Sequence, residues 1–279
     1  MWAGGKSRCL KHYKPILPTN IKTYSEPFFG AGAVFLKVLE TNDIKEAYIN
    51  DINSDIIRIY REVKNNPEQF CNIMDTYSSL YLSLEKSSRK EFYFALRDKH
   101  AFEYEGWSEV KEAATLYFLM KTGFNGIWQI NQNTNGRFGT PSGLLNQTKK
   151  VYDKDNVMEW SEMLNTIKVH ITSTDWIDAP HADFTFYDPP YRGCLTITQA
   201  YATSFPDTEL DKLIKIVEDN KNVWCTNRDI DDGYFDNVKC NVMKIPITYI
   251  AGRKKQHKNE QGDIIKHTAM KANEVLLWR

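Results

Sequence analysis

The stretch Asp183-Phe184-Thr185-Phe186-Tyr187-Asp188-Pro189-Pro190-Tyr191 reads as a short buried strand that ends in a carboxylate, two prolines and an aromatic ring. Proline has no N–H to give to a ladder and cannot continue a central strand. The strand therefore stops at Tyr187, and the next four residues form a rigid loop at its carboxyl end. Open α/β sheets bind their ligands at such ends.

Working outward, six further runs rich in β-branched and aromatic residues occur at 23–28, 47–51, 168–173, 222–226, 243–249 and 274–278. Helical patterns at 33–39 and 208–217 alternate with them, as a mainly parallel sheet with right-handed crossovers requires. A polar stretch over 252–271 with no convincing crossover helix joins the last two runs, so they are predicted to be an antiparallel pair closing the sheet. Between residue 54 and about residue 161 the alternation gives way to helical patterns at 68–84, 88–99 and 111–120, followed by a Gly- and Asn-rich stretch. An insertion in an α/β core accounts for this. The predicted organisation is an α/β core domain over 1–55 and 161–279, the candidate for the catalytic part because its strand ends are where such sheets bind ligands, with an inserted domain over 56–160.

Composition excludes several classes. The 279 residues are long enough for one large domain or a core with one insertion, and 42% hydrophobic with 26% charged residues is an ordinary globular balance. Thirty-six basic against thirty-six acidic residues gives no net charge, so any polyanion site is a local patch. No apolar run approaches the roughly 20 residues of a membrane span, and the start is polar and basic, without a secretion signal. Five scattered cysteines lack Cys-x-x-Cys spacing, and six dispersed histidines lack metal-ligand spacing. These features predict a cytoplasmic protein without a structural metal.

The second chemical signal is Glu26-Pro27-Phe28-Phe29-Gly30-Ala31-Gly32-Ala33-Val34-Phe35, a strand end passing through two glycines into an apolar helix. Nineteen residues after Gly32, Asp51 ends the second strand, where a carboxylate can accept hydrogen bonds from a ribose diol. Phe35 occupies a position that the dinucleotide fingerprint reserves for a small residue, which disfavours a pyrophosphate cofactor.

Together the glycine loop and the Asp-Pro-Pro-Tyr resemble the Dam-type DNA adenine-N6 methyltransferases. The resemblance spans nearly the whole chain and includes Trp2-Ala3-Gly4-Gly5-Lys6, Asn50-Asp51-Ile52-Asn53-Ser54-Asp55, Phe124-Asn125-Gly126 and Thr140-Pro141-Ser142-Gly143. The order of blocks, glycine loop, insertion, then Asp-Pro-Pro-Tyr, is also this family's. The first block begins at residue 2, which fits either a truncated or a naturally short start. The resemblance implies a Rossmann-like methyltransferase fold: a mostly parallel seven-stranded sheet with an antiparallel last strand, plus a mainly helical inserted DNA-recognition domain. It implies transfer of a methyl group from S-adenosylmethionine to N6 of adenine in double-stranded DNA by a monomer.

By the same resemblance Trp2, Lys6, Phe29, Gly30, Ala31, Gly32, Asp51 and Asp188 border S-adenosylmethionine, and Asp175 and Trp176 meet its adenine. Asp188, Pro189, Pro190 and Tyr191 form the catalytic loop. An amine conjugated with a purine is a poor nucleophile because its lone pair is delocalised into the ring. A carboxylate oxygen of Asp188 and the carbonyl of Pro189 are each suited to accept one N6 hydrogen, with Tyr191 stacked on the base. The methyl then moves in one displacement that needs no metal and no covalent enzyme intermediate. A duplex hides N6, so the adenine is expected to be flipped out of the stack.

The insertion carries the expected DNA contacts: Lys121, Phe124, Asn125, Ile127, Gln129, Asn131, Arg137 and Pro141, with Lys149 and Lys150 as further phosphate partners. Arg253-Lys254-Lys255-Gln256-His257-Lys258 is a second basic run, equally readable as a solvated loop. The sequence departs from the family at Gln129, where relatives that methylate GATC have arginine, and in the loop 131–138, about two residues longer than theirs. Gln129 predicts a target that differs from, or is looser than, GATC; the alternative is that Arg137, carried on the longer loop, supplies the missing guanidinium and restores the same target. The alternatives are methylation of cytosine N4 or a protein glutamine, and a non-catalytic DNA-binding homologue; a partner endonuclease is left open.

Overall fold

The computed structural model describes residues 6–143, 150–192, 205–249, 257–258, 264–265 and 270–279. The chain divides into two compact units, the first made by the described residues up to Phe186 and the second by those from Tyr187 onward.

In the first unit, β1 (Thr23–Glu26) lies between β2 (Glu46–Asn50) and β4 (Phe184–Tyr187), and β3 (Lys168–Thr172) adds beyond β2. All these pairs are parallel, with Tyr24 opposite both Ala47 and Phe184. Helix α1 (Ala33–Thr41) crosses from β1 to β2 with Val34, Phe35 and Val38 buried. The Phe35 ring packs 5.8 Å from Tyr24 and edge-on to Phe29 at 5.6 Å. An aromatic wedge thus fills the helix–strand space that a small residue closes in dinucleotide folds.

The helical stretch contains the three expected helices, α3 (Pro67–Ser83), α4 (Lys86–Phe102) and α5 (Glu109–Thr122). Two more flank them, α2 (Ser54–Asn65) and α6 (Lys154–Thr166). Helix α2 starts where Asn53 accepts a hydrogen bond from Asp55 N, an N-cap whose signal sits inside the strand-ending motif. The apolar run 113–120 is explained by position: α5 packs against α2, α3 and α4, so its residues are buried nearly all round. Phe118 is met edge-on by Tyr81 and Phe92 in an aromatic core. This stretch lies inside the first unit, continuous with the strands that flank it.

In the second unit, helix α7 (Asp207–Asp219) lays Leu210, Leu213, Ile214 and Val217 inward and packs on the fully buried β5 (Val223–Asp229). The last strand, β7 (Met270–Trp278), runs antiparallel between β5 and β6 (Asn241–Tyr249). The expected reversal of the final strand is met, and it lies beside both β5 and β6. Pro246 is tolerated because β6 pairs on one side only among the described residues. Four parallel strands and three with the last reversed make up the seven expected. Cys9, Cys71, Cys225 and Cys240 carry free thiols. Cys194 lies outside the described residues.

Candidate active site

The glycine loop is held by the end of β2. Phe29 N donates to Asn50 O at 2.8 Å, and Gly30 N donates to Asp51 Oδ2 at 3.0 Å. Tyr60 Oη donates to the Gly30 carbonyl at 3.0 Å, and burial pushes that phenol upward, so it stays a donor. Gly30 and Gly32 have φ of +48° and +63°, and a methyl on Gly32 would strike the rings of Phe29 and Trp160. Glycine is required at 32 by conformation and by space. Asp51 is buried, and its Oδ1 accepts from Asn53 N at 2.9 Å. The structure thus joins two expected site elements, the loop and the acidic residue, by a direct hydrogen bond.

Asn50 is the organiser that sequence reasoning passed over. Its amide donates to Pro27 O and Thr174 O, both at 3.1 Å, while its Oδ1 accepts from Thr172 Oγ1 at 2.8 Å and Thr174 N at 3.0 Å. One buried side chain thereby ties the carboxyl ends of β1, β2 and β3. The signal available was its place beside Asp51 in the quoted block.

Past β3, Asp175 Oδ1 caps the turn Trp176–Asp178 by accepting from Ile177 N at 3.1 Å. Trp176 is buried and stacks on Phe28 with centroids 6.3 Å apart. Ile177 and Ile52, on loops joined by Ser173 Oγ to Ile52 O, are each 63% exposed. Two bare aliphatic side chains at strand ends are the second feature the sequence reading missed. Lys6 is buried in the turn Lys6–Arg8. Trp2 lies outside the described residues.

In the second unit, Pro189 is buried, with Asp188, Pro190 and Tyr191 half-buried. Asp188 Oδ1 accepts from Thr226 Oγ1 at 2.8 Å. At the far end of the loop Arg192 N donates to Asn227 Oδ1 at 3.0 Å. Two consecutive residues of β5 therefore hold the loop at its first residue and just past its last. Neither Thr226 nor Asn227 was expected, because the pairs span 38 and 35 residues of chain.

The reading segment folds back on itself, with Ile130 bridging Phe138 and Gly123 bridging Ser142. Gly139 N donates to Gln129 O at 2.7 Å, and a methyl there would overlap the Asn131 side chain. Asn125 is exposed with φ of +55°; Phe124, Ile127 and Gln129 are half-buried, and Pro141 is exposed. Asn131 caps its own turn by accepting from Asn133 N, and Lys121 Nζ lies 5.1 Å over the Tyr117 ring. Arg137 pairs with the buried carboxylate of Glu112 and lies 3.6 Å over the Tyr104 ring. Arg58 completes that cluster, reaching Glu112 at 3.3 Å, Asp55 at 3.1 Å and Glu109 at 2.7 Å. Lys150 pairs with Asp153 at 2.8 Å. Lys149 and residues 253–256 lie outside the described residues, and of the rest of that basic run the backbone of His257–Lys258 pairs with Ile264–Ile265. Among the described residues no cluster of His, Cys, Asp and Glu is arranged for a metal, and no helix is long and apolar enough to cross a membrane.

A glycine loop tied to an acidic strand end, and an Asp-Pro-Pro-Tyr loop anchored by a neighbouring strand, are the two elements that the resemblance to amino-methyltransferases leads one to expect. The family model of the D12 class N6 adenine-specific DNA methyltransferases matches residues 2–243. The chain is 34% identical over 198 residues to the type II methyltransferase M.MjaIII of Methanocaldococcus jannaschii, covering 68% of each chain. It is 32% identical over 195 residues to the type II methyltransferase M1.LlaDCHI of Lactococcus lactis, 68% of this chain and 64% of that one. With the DNA adenine methylase of Escherichia coli K12 it shares 25% identity over 255 residues, 88% and 86% of the two chains. The chain belongs to the D12 class of N6 adenine-specific DNA methyltransferases. It is an enzyme that methylates adenine in DNA, and membership of a methyltransferase family implies S-adenosylmethionine as its methyl donor.

Proposed function

We propose that this protein transfers a methyl group to N6 of an adenine flipped from double-stranded DNA, within a short target sequence. The observation that carries the reading is the Asp188 carboxylate, fixed through Oδ1 by Thr226 at the start of a proline-rigid loop. Its Oδ2 and the Pro189 carbonyl accept the two N6 hydrogens, and the geometry they favour localises the nitrogen lone pair. Tyr191 stacks on the base. Proline at 189 and 190 supplies rigidity and no competing N–H.

The residues of the first unit fit S-adenosylmethionine. Asp51 accepts from the ribose hydroxyls while its link to Gly30 keeps the glycine loop open to close approach. Ile52 and Ile177 offer exposed aliphatic surface for a purine, with Trp176, which stacks on Phe28, and Asp175, Lys6 and Trp2 as aromatic and polar partners. When bound, the cofactor supplies a sulfonium-activated methyl. The proton lost from N6 after transfer leaves through the acceptors that already hold it. No step is assigned to a metal.

The stretch 56–160 is proposed as the DNA-recognition domain, with Lys121, Phe124, Asn125, Ile127, Gln129 and Pro141 towards DNA. Arg137, which pairs with Glu112 and lies over Tyr104, and Asn131, which caps its own turn, belong to the same proposed surface. Gln129 offers one donor and one acceptor, a pairing for adenine rather than guanine, so the target differs from GATC or is looser. The enzyme acts as a cytoplasmic monomer. Digestion of DNA methylated in vitro to nucleosides tests the reaction: N6-methyladenine supports it, while N4-methylcytosine, or cofactor binding without any methylated nucleoside, overturns it.

A further inference from the structure

Arg192 follows Tyr191, and the chemistry above gives it no task. Its guanidinium is nevertheless among the most constrained groups of the second unit. Nε and one terminal nitrogen meet the two oxygens of Asp207, each at 2.9 Å, and the other terminal nitrogen reaches Asp232 at 3.0 Å. The guanidinium carbon lies 3.6 Å from the centre of the Tyr234 ring, whose hydroxyl donates to Asp211. The arginine side chain is 11% exposed, against 54% for Asp207 and 36% for Asp232.

An isolated surface ion pair contributes little. This one differs, because a planar fork on one carboxylate, a third bond to another and a stacked ring leave the side chain a single geometry. The same residue's N–H is taken by Asn227 Oδ1, so backbone and side chain are both fixed. The bonds join three places in the chain: the end of the Asp188–Tyr191 loop, the first residue of α7 and the turn after β5.

We propose that Arg192 is a positioning residue for methyl transfer, clamping the far end of the Asp188–Tyr191 loop as Thr226 anchors its start. The proposal rests on the assignment of that loop to the target amine. Its consequence is kinetic: displacement of acceptor groups by about 1 Å costs roughly a hundredfold in rate without a matching loss of binding.

The test uses the full chain with S-adenosylmethionine and unmethylated duplex DNA. Single-turnover transfer is measured at saturation, with cofactor affinity by calorimetry, DNA affinity by a binding titration and folding by thermal melting. Arg192→Ala is expected to lower transfer about a hundredfold with both affinities within about threefold of wild type. Arg192→Lys keeps the charge but not the fork and is expected to recover about a tenth of the wild-type rate. Asp207→Asn, on an exposed partner, is expected to slow transfer about three- to tenfold with an unchanged melt. Should Arg192→Ala fail to fold, Asp207→Asn decides. Transfer within twofold of wild type in the folded variants, or a loss confined to affinity, overturns the proposal. A wild-type protein that makes no N6-methyladenine instead removes the assignment of the loop itself.

Discussion

Thr226→Val deletes a single hydroxyl while keeping the side chain's shape. Thr226 is fully buried in β5, and its Oγ1 lies 2.8 Å from Asp188 Oδ1, with the Tyr187 carbonyl a distant second acceptor at 3.4 Å. A hydrogen bond to a charged group is worth about 1.5–3 kcal/mol, so if its task is to aim the carboxylate, its loss slows transfer by roughly ten- to over a hundredfold. One effect opposes this. Without the donor, Asp188 becomes a stronger acceptor for the N6 hydrogen. That gain is only the fractional strengthening of one bond between the carboxylate and an amine hydrogen, itself worth about 1.5–3 kcal/mol, whereas the lost bond is removed outright, so loss of aim wins. Stability should change by no more than about 1 kcal/mol, because valine fills the same volume and water can reach the half-buried Asp188. Single-turnover transfer of labelled methyl groups at saturating cofactor measures the effect, and Thr226→Ser, which restores the hydroxyl, should recover most of it. A valine variant transferring within twofold of wild type would refute the assignment of Thr226 as the anchor of Asp188.

Asp51→Ala is expected to weaken S-adenosylmethionine binding by roughly ten- to a hundredfold, leaving DNA affinity nearly unchanged, as titration calorimetry and DNA-binding titrations would reveal. His100 is fully buried, and desolvation together with the charges of Arg137 and Arg58 lowers its pKa from 6.5 to about 3. Above pH 6.5 it is neutral in both states and costs nothing. As pH falls from 6.5 towards 3 the unfolded chain takes a proton that the folded one refuses, so this residue removes up to about 1.4 kcal/mol per pH unit. Denaturant melts between pH 7 and 4 should therefore show a flatter pH dependence in His100→Gln than in wild type. Gln129→Ala should relax preference at one base pair of the target by roughly ten- to over a hundredfold, readable as a methylome of expressing cells. Strict GATC methylation in both wild type and variant would remove Gln129 from base reading.

Much of the site was legible because it is local in sequence. Asp188-Pro189-Pro190-Tyr191 and Gly30-Ala31-Gly32 are contiguous, and their backbone demands, a strand that cannot continue and φ values only glycine tolerates, are written in their residue types. Helices α2 and α6 were harder to read. The first begins inside a strand-ending motif, and the second follows a loop with no strong boundary signal. Arg137 illustrates the opposite limit. Its residue type suggests a phosphate contact, and nothing local in the sequence announces that a carboxylate 25 residues away on α5 pairs with it.

The sequence by itself determined the alternation of strands and helices, the reversal of the last strand, the two loops proposed for the chemistry and the family of the chain. Each depends on side-chain periodicity or backbone restriction over a few residues. Only the tertiary structure decided that β7 lies between β5 and β6, that Asn50 ties three strand ends, that Asp51 holds Gly30, that Thr226 bonds Asp188 and that Arg192 pairs with Asp207. These are pairings of donors and acceptors across 15 to 124 residues of chain. A polar side chain's partner is set by where the packed core delivers its neighbours, and no local pattern encodes that.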